Sequence, residues 1–366
     1  VSNQRLESLD VFRGLTIAAM ILVSTPGSWE AVYAPLNHAA WNGWTPTDLV
    51  FPFLLFAMGA AVPFALARRR GTHRRVGHHV IRRALILFAI GLVLNAIETS
   101  PLSLATFRIP GVLQRIAIIF AIVALLTERT TWRTQVAVAI GALLGYWALM
   151  ARVPVPGVGA GVLTPEGNLA GYVDRVIFGR HLAGPLGDPE GLLSTIPAVA
   201  TALAGVFAGD WLNQPGETGR RTIVLCAAGV VAVAIGLAWD RAFPINKNLW
   251  TSSFAIFTAG LAAIALAVAH WGLDVKGWRA WAAPLHAFGR NPLAGYAGSV
   301  ALDAALTRWT MADASIKSTI YQRAFASWIA PLAGAEAASF AYALAYVALW
   351  AVVLGVMHRR RVFVGI

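Results

Sequence analysis

Asn37-His38-Ala39-Ala40-Trp41-Asn42-Gly43, followed by Asp48-Leu49-Val50-Phe51-Pro52, places a single histidine in a short segment without Lys or Arg between two long apolar runs. A neutral imidazole accepts a proton or attacks an acyl group near neutral pH. His38 is therefore the candidate catalytic residue, Asn42 a candidate orienting amide, and Asn37 and Trp41 candidate substrate contacts. Asp188-Pro189-Glu190-Gly191 supplies two carboxylates that either bind an amine or orient a base, or else simply favour a helix N-terminus. Asn246-Lys247-Asn248-Leu249-Trp250 offers amides for hydroxyls and an indole for a sugar ring, although Trp250 reads equally well as an interfacial anchor.

The elements that carry these residues follow from composition. The chain is 58% hydrophobic and 13% charged, with mean hydropathy +0.65, against about a quarter charged for a soluble domain. Apolar runs of membrane length recur throughout. The expected fold is all-α: one polytopic membrane helix bundle over residues 1–366, with about ten spans near 9–25, 48–67, 80–97, 111–127, 134–151, 191–212, 222–239, 249–270, 283–306 and 337–357. Pro52, Pro63 and Pro292 should kink or break their helices. The Gly- and Pro-rich 152–190 stretch reads as turns rather than a further span.

The net charge of +12 is clustered, with Arg68, Arg69, Arg70, Arg74, Arg75, Arg82 and Arg83 in one stretch and Arg359, Arg360 and Arg361 near the C-terminus. Such clusters orient membrane proteins with basic loops inside rather than mark nucleic-acid binding. Both termini are expected on the cytoplasmic side. Acids interleave with bases before the first apolar run, which predicts an uncleaved first helix. Cys226 is the lone cysteine, and no His/Cys/Asp/Glu set has metal-ligand spacing. No metal and no nucleic acid are expected as partners.

Charged groups inside spans are costly and usually face a cavity or a partner. Asp10, Arg13 and Ser24 share one helix face, and Arg108 and Arg115 are seven apart with Gln114 beside them. The functional reading is a cationic path for a phosphorylated cofactor, because a guanidinium donates two parallel hydrogen bonds to phosphate. The bland reading is an internal Asp10–Arg13 pair and a snorkelling Arg83. Asn291, beside Arg290, joins the candidate cofactor-binding set of Arg13, Arg83, Arg108, Gln114 and Arg115.

Six strings in order along the chain, RLESLDVFRG, HAAWNG, DLVFP, RIPGVLQR, DPEG and NKNLW, resemble the heparan-α-glucosaminide N-acetyltransferase family and its bacterial relatives among the transmembrane acyltransferases. The resemblance implies transfer of an acetyl group from cytoplasmic acetyl-CoA to the amine of a glucosamine-type sugar on the periplasmic side of a bacterial inner membrane. It implies that His38 is the catalytic histidine, that Arg83, Arg108 and Arg115 match family arginines, and, by analogy, a homodimer. Many family members carry Asn where this chain has Ser24. An amide there holds the acetyl carbonyl or developing oxyanion, and a serine is shorter. Asp188, Glu190, Asn246, Lys247, Asn248 and Trp250 are then expected to bind the acceptor. Two routes fit His38, attack on acetyl-CoA or general-base assistance to a direct attack by the amine, and the direct route is preferred. The competing reading is a transporter for an amino sugar or its acetylated form, since ten spans, broken helices and buried polar groups are also transporter features. A purely structural or lipid-interacting role leaves the arginines inside the spans unexplained.

Overall fold

The computed structural model describes residues 6–69, 76–99, 103–311 and 314–364. Arg70, Arg74 and Arg75, named above, and Arg5, which opens the RLESLDVFRG string, lie outside the described residues. The chain is mostly helical: α1 (Glu7–Ser24), α2 (Pro46–Arg69), α3 (Val76–Glu98), α4 (Val112–Arg129), α5 (Trp132–Arg152), α6 (Leu169–Phe178), α7 (Thr195–Leu212), α8 (Thr218–Trp239), α9 (Ser252–His270), α10 (Ala283–Arg290), α11 (Pro292–Arg308), α12 (Ile316–Tyr321), α13 (Ser327–Ala333) and α14 (Ala335–Arg359). A two-residue hairpin, β1 (Thr310–Met311) with β2 (Ala314–Ser315), is the β-structure among the described residues.

Seven of these helices are long and apolar enough to cross a membrane: α2, α3, α5, α7, α8, α9 with the π-turn that extends it to Val275, and α14. α2, α7 and α9 are mostly buried, whereas α5, α8 and α14 expose most of their length. The exposed large apolar residues on α8 are Ile223, Val224, Val230, Val231, Ile235 and Leu237. An apolar outer face of this kind is what a helix presents to lipid rather than to water. α1, α4 and the α10–α11 pair pack inside the same bundle but carry charges, Asp10 and Arg13 on α1 and Arg115 on α4 among them.

Two expectations are adjusted, and the break at Pro292 holds. α2 runs unbroken through Pro52 and Pro63. The single run at 283–306 is two helices, broken at Asn291 before Pro292, which sits in the first turn of α11 where its missing N–H costs nothing. The 152–190 stretch contains α6, ten residues or about 15 Å and too short to span. Asn168 caps it by accepting from Gly171 N at 2.7 Å.

The connections between the long helices gather into two groups. Hydrogen bonds from Gly43 N to Ile245 O (2.7 Å), from Trp41 Nε1 to Leu163 O (2.8 Å) and between Arg108 and Asp188 gather the 25–45, 103–111, 153–194 and 240–251 connections at one end. The opposite end holds the Thr222–His270 bond and the contact of Asn291 with the C-terminal segment.

The central α2–α7 contact is made through glycines. A Cβ at Gly59 would stand 1.9 Å from the Ala202 carbonyl oxygen, and one at Gly205 would stand 2.1 Å from that of Phe56. The backbones touch, so a side chain at either position must push the helices apart. Gly205→Val is expected to lower the apparent melting temperature in detergent by at least about 5 °C, the order set by overpacking costs of 1–3 kcal/mol or more. Gly141→Ala, where nothing lies within 4 Å, is expected to change it little.

Candidate active site

α2 begins with Pro46 after Thr45, and its first turn is closed by Asp48. The Asp48 carboxylate accepts from Thr45 N (2.9 Å) and Ala39 N (3.1 Å), while Asp48 N donates to Thr45 O at 3.0 Å. The Thr45–Asp48 exchange is the N3 half of a capping box. The same carboxylate bonds His38 Nδ1 at 2.7 Å. Asp48 is 1% exposed and the His38 side chain 56%, so a buried anion orients an imidazole that faces the solvent. With Nδ1–H donated to Asp48, Nε2 is the nitrogen left unprotonated, the tautomer required for accepting a proton or attacking an acyl carbon. Sequence reasoning placed Asp48 in a motif but gave it no role. The available signal was the Thr-x-x-Asp spacing seven residues after the histidine.

Lys247 reaches the same point from the 240–251 connection. Its Nζ lies 3.0 Å from His38 Nδ1 and 3.1 Å from Nε2, and 3.7 Å from Asp48 Oδ1. The ammonium thus stands within about 3 Å of both ring nitrogens. Burial lowers the Lys247 pKa below the ordinary lysine value, against the pull of Glu190 and Asp48.

The neighbouring amides hold the two connections together. Asn246, fully buried, donates to Asn42 Oδ1 at 3.1 Å and accepts from Leu249 N at 2.9 Å. Asn246 is thus a brace beneath the site rather than an exposed sugar contact. Trp250 is 1% exposed, packs between Phe51 and Phe254, and donates to Thr201 Oγ1. Its place in the core offers no open ring face, and it is no interfacial anchor. Trp41 and Asn248 instead line a cavity of about 140 Å³ with Asn168, Asp174 and Asp188. Asn37 is exposed and donates to Val32 O at 3.2 Å.

A second polar layer lies at the same end. Arg108 binds Asp188 through Nε (2.9 Å) and Nη2 (2.7 Å), and Glu190 through Nη2 at 2.6 Å. Burial works against the charged form of Arg108, but the two carboxylates outweigh it and raise its pKa above the ordinary value. Burial likewise opposes the Asp188 anion, and Arg108 reverses this, holding Asp188 below the usual carboxylate range. Arg115 is buried under the layer. It donates to Gly191 O at 2.9 Å and to Ser194 Oγ, stacks over Trp250 at 5.2 Å, and leaves Nε and Nη1 without a protein partner. Gly191 is required because a Cβ would meet the Asp174 carboxylate at 1.9 Å. Asp174 itself is pushed up by burial, against two backbone N–H donors. Asn95 clamps the 108–110 segment through Arg108 O (2.9 Å) and Pro110 O (2.8 Å), and Gln114 is buried beside it. His181 is bound to Phe107 O at 2.7 Å, a tie between connections.

The candidate cofactor residues lie toward both ends of the bundle. Arg108, Gln114 and Arg115 lie at the His38 end. Arg13 is bound to Asp10 (2.7 Å) and Gly289 O (2.7 Å) toward the other end, the internal i,i+3 pair weighed above. Arg83, near the start of α3, stands over Phe120 at 4.9 Å. Asn291 is fully buried and exchanges hydrogen bonds with Val362 O (3.1 Å) and Val364 N (2.9 Å), fastening the C-terminal segment. Ser24 opens into a separate cavity of about 370 Å³ lined also by Glu98, Tyr296, Ser299 and Asp303. Among the described residues no cluster of His, Cys, Asp and Glu suits a metal ion.

Fold and site together define a multi-pass helical membrane protein with an aspartate-oriented histidine exposed at one end of the bundle. The chain belongs to the heparan-α-glucosaminide N-acetyltransferase family, whose catalytic-region model matches residues 5–238. It is 28% identical to the human protein of that name, over 98% of this chain and 59% of the human one. It is 27% identical to the mouse protein, over 99% and 60% respectively. The chain thus spans about three fifths of the length of these curated relatives.

The Arg108–Asp188 pair sets an acid limit on stability. Asp188 has a lower pKa folded than unfolded, so its contribution is complete above the ordinary carboxylate value of about 4 and is lost as pH falls below it. Arg108→Leu leaves Asp188 buried without its cation and is expected to destabilise by about 3–5 kcal/mol. Thermal unfolding in detergent from pH 3 to 7 checks both, with Asp188→Asn flattening the acid limb.

Proposed function

We propose that this chain is a transmembrane acetyltransferase that moves an acetyl group from acetyl-CoA to the amine of a glucosamine-type sugar, with His38 as general base. The observation that carries the reading is the His38–Asp48 hydrogen bond of 2.7 Å, on a side chain 56% exposed, which commits Nδ1 and leaves Nε2 as the basic nitrogen, in a chain of this family. The acceptor arrives as an ammonium, and Nε2 takes one of its protons. The free amine attacks the thioester carbonyl carbon, and the carbon–sulfur bond breaks. The imidazolium returns its proton to the leaving thiolate, and the second amine proton passes to water. Asp48 keeps the ring in the reacting tautomer and stabilises the imidazolium in between. Asn248 and Trp41, in the small cavity beside the histidine loop, are the groups we assign to the sugar.

The bundle is read as ten crossings, with α1, α4 and the α10–α11 pair added to the seven apolar helices. Both termini then lie in the cytoplasm and His38 faces the periplasmic side of a bacterial inner membrane. The gathering of alternate connections at the His38 end supports this, as does the bias of basic residues toward the end opposite His38. Acetyl-CoA then enters from the cytoplasmic end.

The test is acetyl transfer by purified protein in detergent, with acetyl-CoA and glucosamine. Wild type is expected to form the acetylated sugar. His38→Ala and Asp48→Asn are each expected to lower kcat/KM by about 10²-fold or more while still binding acetyl-CoA in equilibrium dialysis. A folded wild-type protein that neither binds acetyl-CoA nor forms product would overturn the proposal in favour of a transporter.

A further inference from the structure

We propose that Lys247 is a positioning residue for the reaction, acting through His38: its ammonium beside both ring nitrogens keeps the ring neutral against the pull of Asp48. The argument is one of charge at short range. A histidine hydrogen-bonded to a buried carboxylate is ordinarily driven toward imidazolium, because the ion pair is worth most where water is scarce. Such a ring has no lone pair at Nε2 and is no base. Here the carboxylate faces a second cation at 3.7 Å, and that cation stands 3.0 and 3.1 Å from the two ring nitrogens. Lys247 cancels the Asp48 charge and directly repels a proton on the ring.

The charged groups around the pair are few. Asp48 faces His38 from α2, and Lys247 faces it from the 240–251 connection. Glu190 attracts the Lys247 ammonium and Arg115 repels it. With Lys247 charged, Asp48 ionised and His38 neutral, the triad carries no net charge. When Lys247 loses its charge, the neutral arrangement becomes Asp48 ionised with His38 protonated, and the proton moves onto the base. The lysine is held for this purpose. Its side chain is 17% exposed, and it lies between Asn246, braced on Asn42 and Leu249 N, and the buried Leu249. Lys247 does not line the small cavity of Trp41 and Asn248, the groups assigned to the sugar.

The proposal rests on His38 being the base, but its test does not depend on turnover. Diethyl pyrocarbonate acylates neutral imidazole, so the pH dependence of modification of the His38 peptide, followed by mass spectrometry on the full-length protein in detergent, reads the protonation of that residue alone. Lys247→Met is expected to move the midpoint upward by about one pH unit or more, and Lys247→Arg to leave it near wild type. Asp48→Asn in the Lys247→Met background should bring the midpoint back down. If acetyl transfer is observed, the acid limb of kcat/KM should shift by the same amount as the modification midpoint. A Lys247→Met protein whose modification rate changes equally at every pH, with an unmoved midpoint, overturns the proposal and leaves Lys247 a merely steric neighbour. The same outcome in Lys247→Gln settles the case where the methionine variant does not fold. A shifted midpoint, with a wild type that neither binds acetyl-CoA nor forms product, upholds the electrostatic role of Lys247 and removes the acetyltransferase reading instead.

Discussion

A buried carboxylate at the mouth of an apolar bundle must be paired, and Asp48 meets that demand with every group around it. It caps α2 through Thr45 N, fixes the preceding loop through Ala39 N, orients His38, and stands beside Lys247. One side chain thereby joins the start of a membrane-length helix to a histidine ten residues earlier and a lysine two hundred residues later. The interaction is strong because Asp48 is almost fully removed from water, where each charge-assisted bond counts for more than it would on a surface. It also makes the histidine loop depend on α2, so the reactive ring sits on a rigid element rather than on a free connection.

The second polar layer repeats this logic with the charges reversed in number. Arg108 serves two carboxylates, and Arg115 below them is held by carbonyl and hydroxyl oxygens and by the face of Trp250. The negative charge of Glu190 reaches Lys247, so the two layers are electrostatically continuous. This continuity explains why DPEG and NKNLW, far apart in the chain, belong to one structural unit: Gly191 makes room for Asp174, its carbonyl holds Arg115, and Arg115 supports Trp250.

Around this unit the bundle is built to two standards. α2 and α7 approach through Gly59, Gly205 and Gly209 until backbone touches backbone, which van der Waals packing favours where lipid provides no hydrophobic drive for association. α5, α8 and α14 turn apolar surfaces outward and need only be greasy and helical. The inner helices are thus constrained atom by atom, the outer ones by composition.

That contrast accounts for what was legible in the sequence. Hydropathy alone determined that the chain is a helical membrane protein, because lipid leaves a spanning segment little choice but to satisfy its backbone within a helix. The proline at 292 marked a real break, because a first-turn proline cannot continue the preceding helix. The family strings pointed to His38 and to the Arg108 and Arg115 region. Sequence position could not say what each polar residue touches. Asn246, Trp250 and Asn291 read as ligand contacts and are buried braces; Arg13 read as part of a path and is closed on Asp10 and Gly289. Nor could it show that Asp48 and Lys247 converge on His38. Those pairings join residues ten and two hundred and nine positions apart, and only the packing of helices against one another brings such groups within hydrogen-bonding distance.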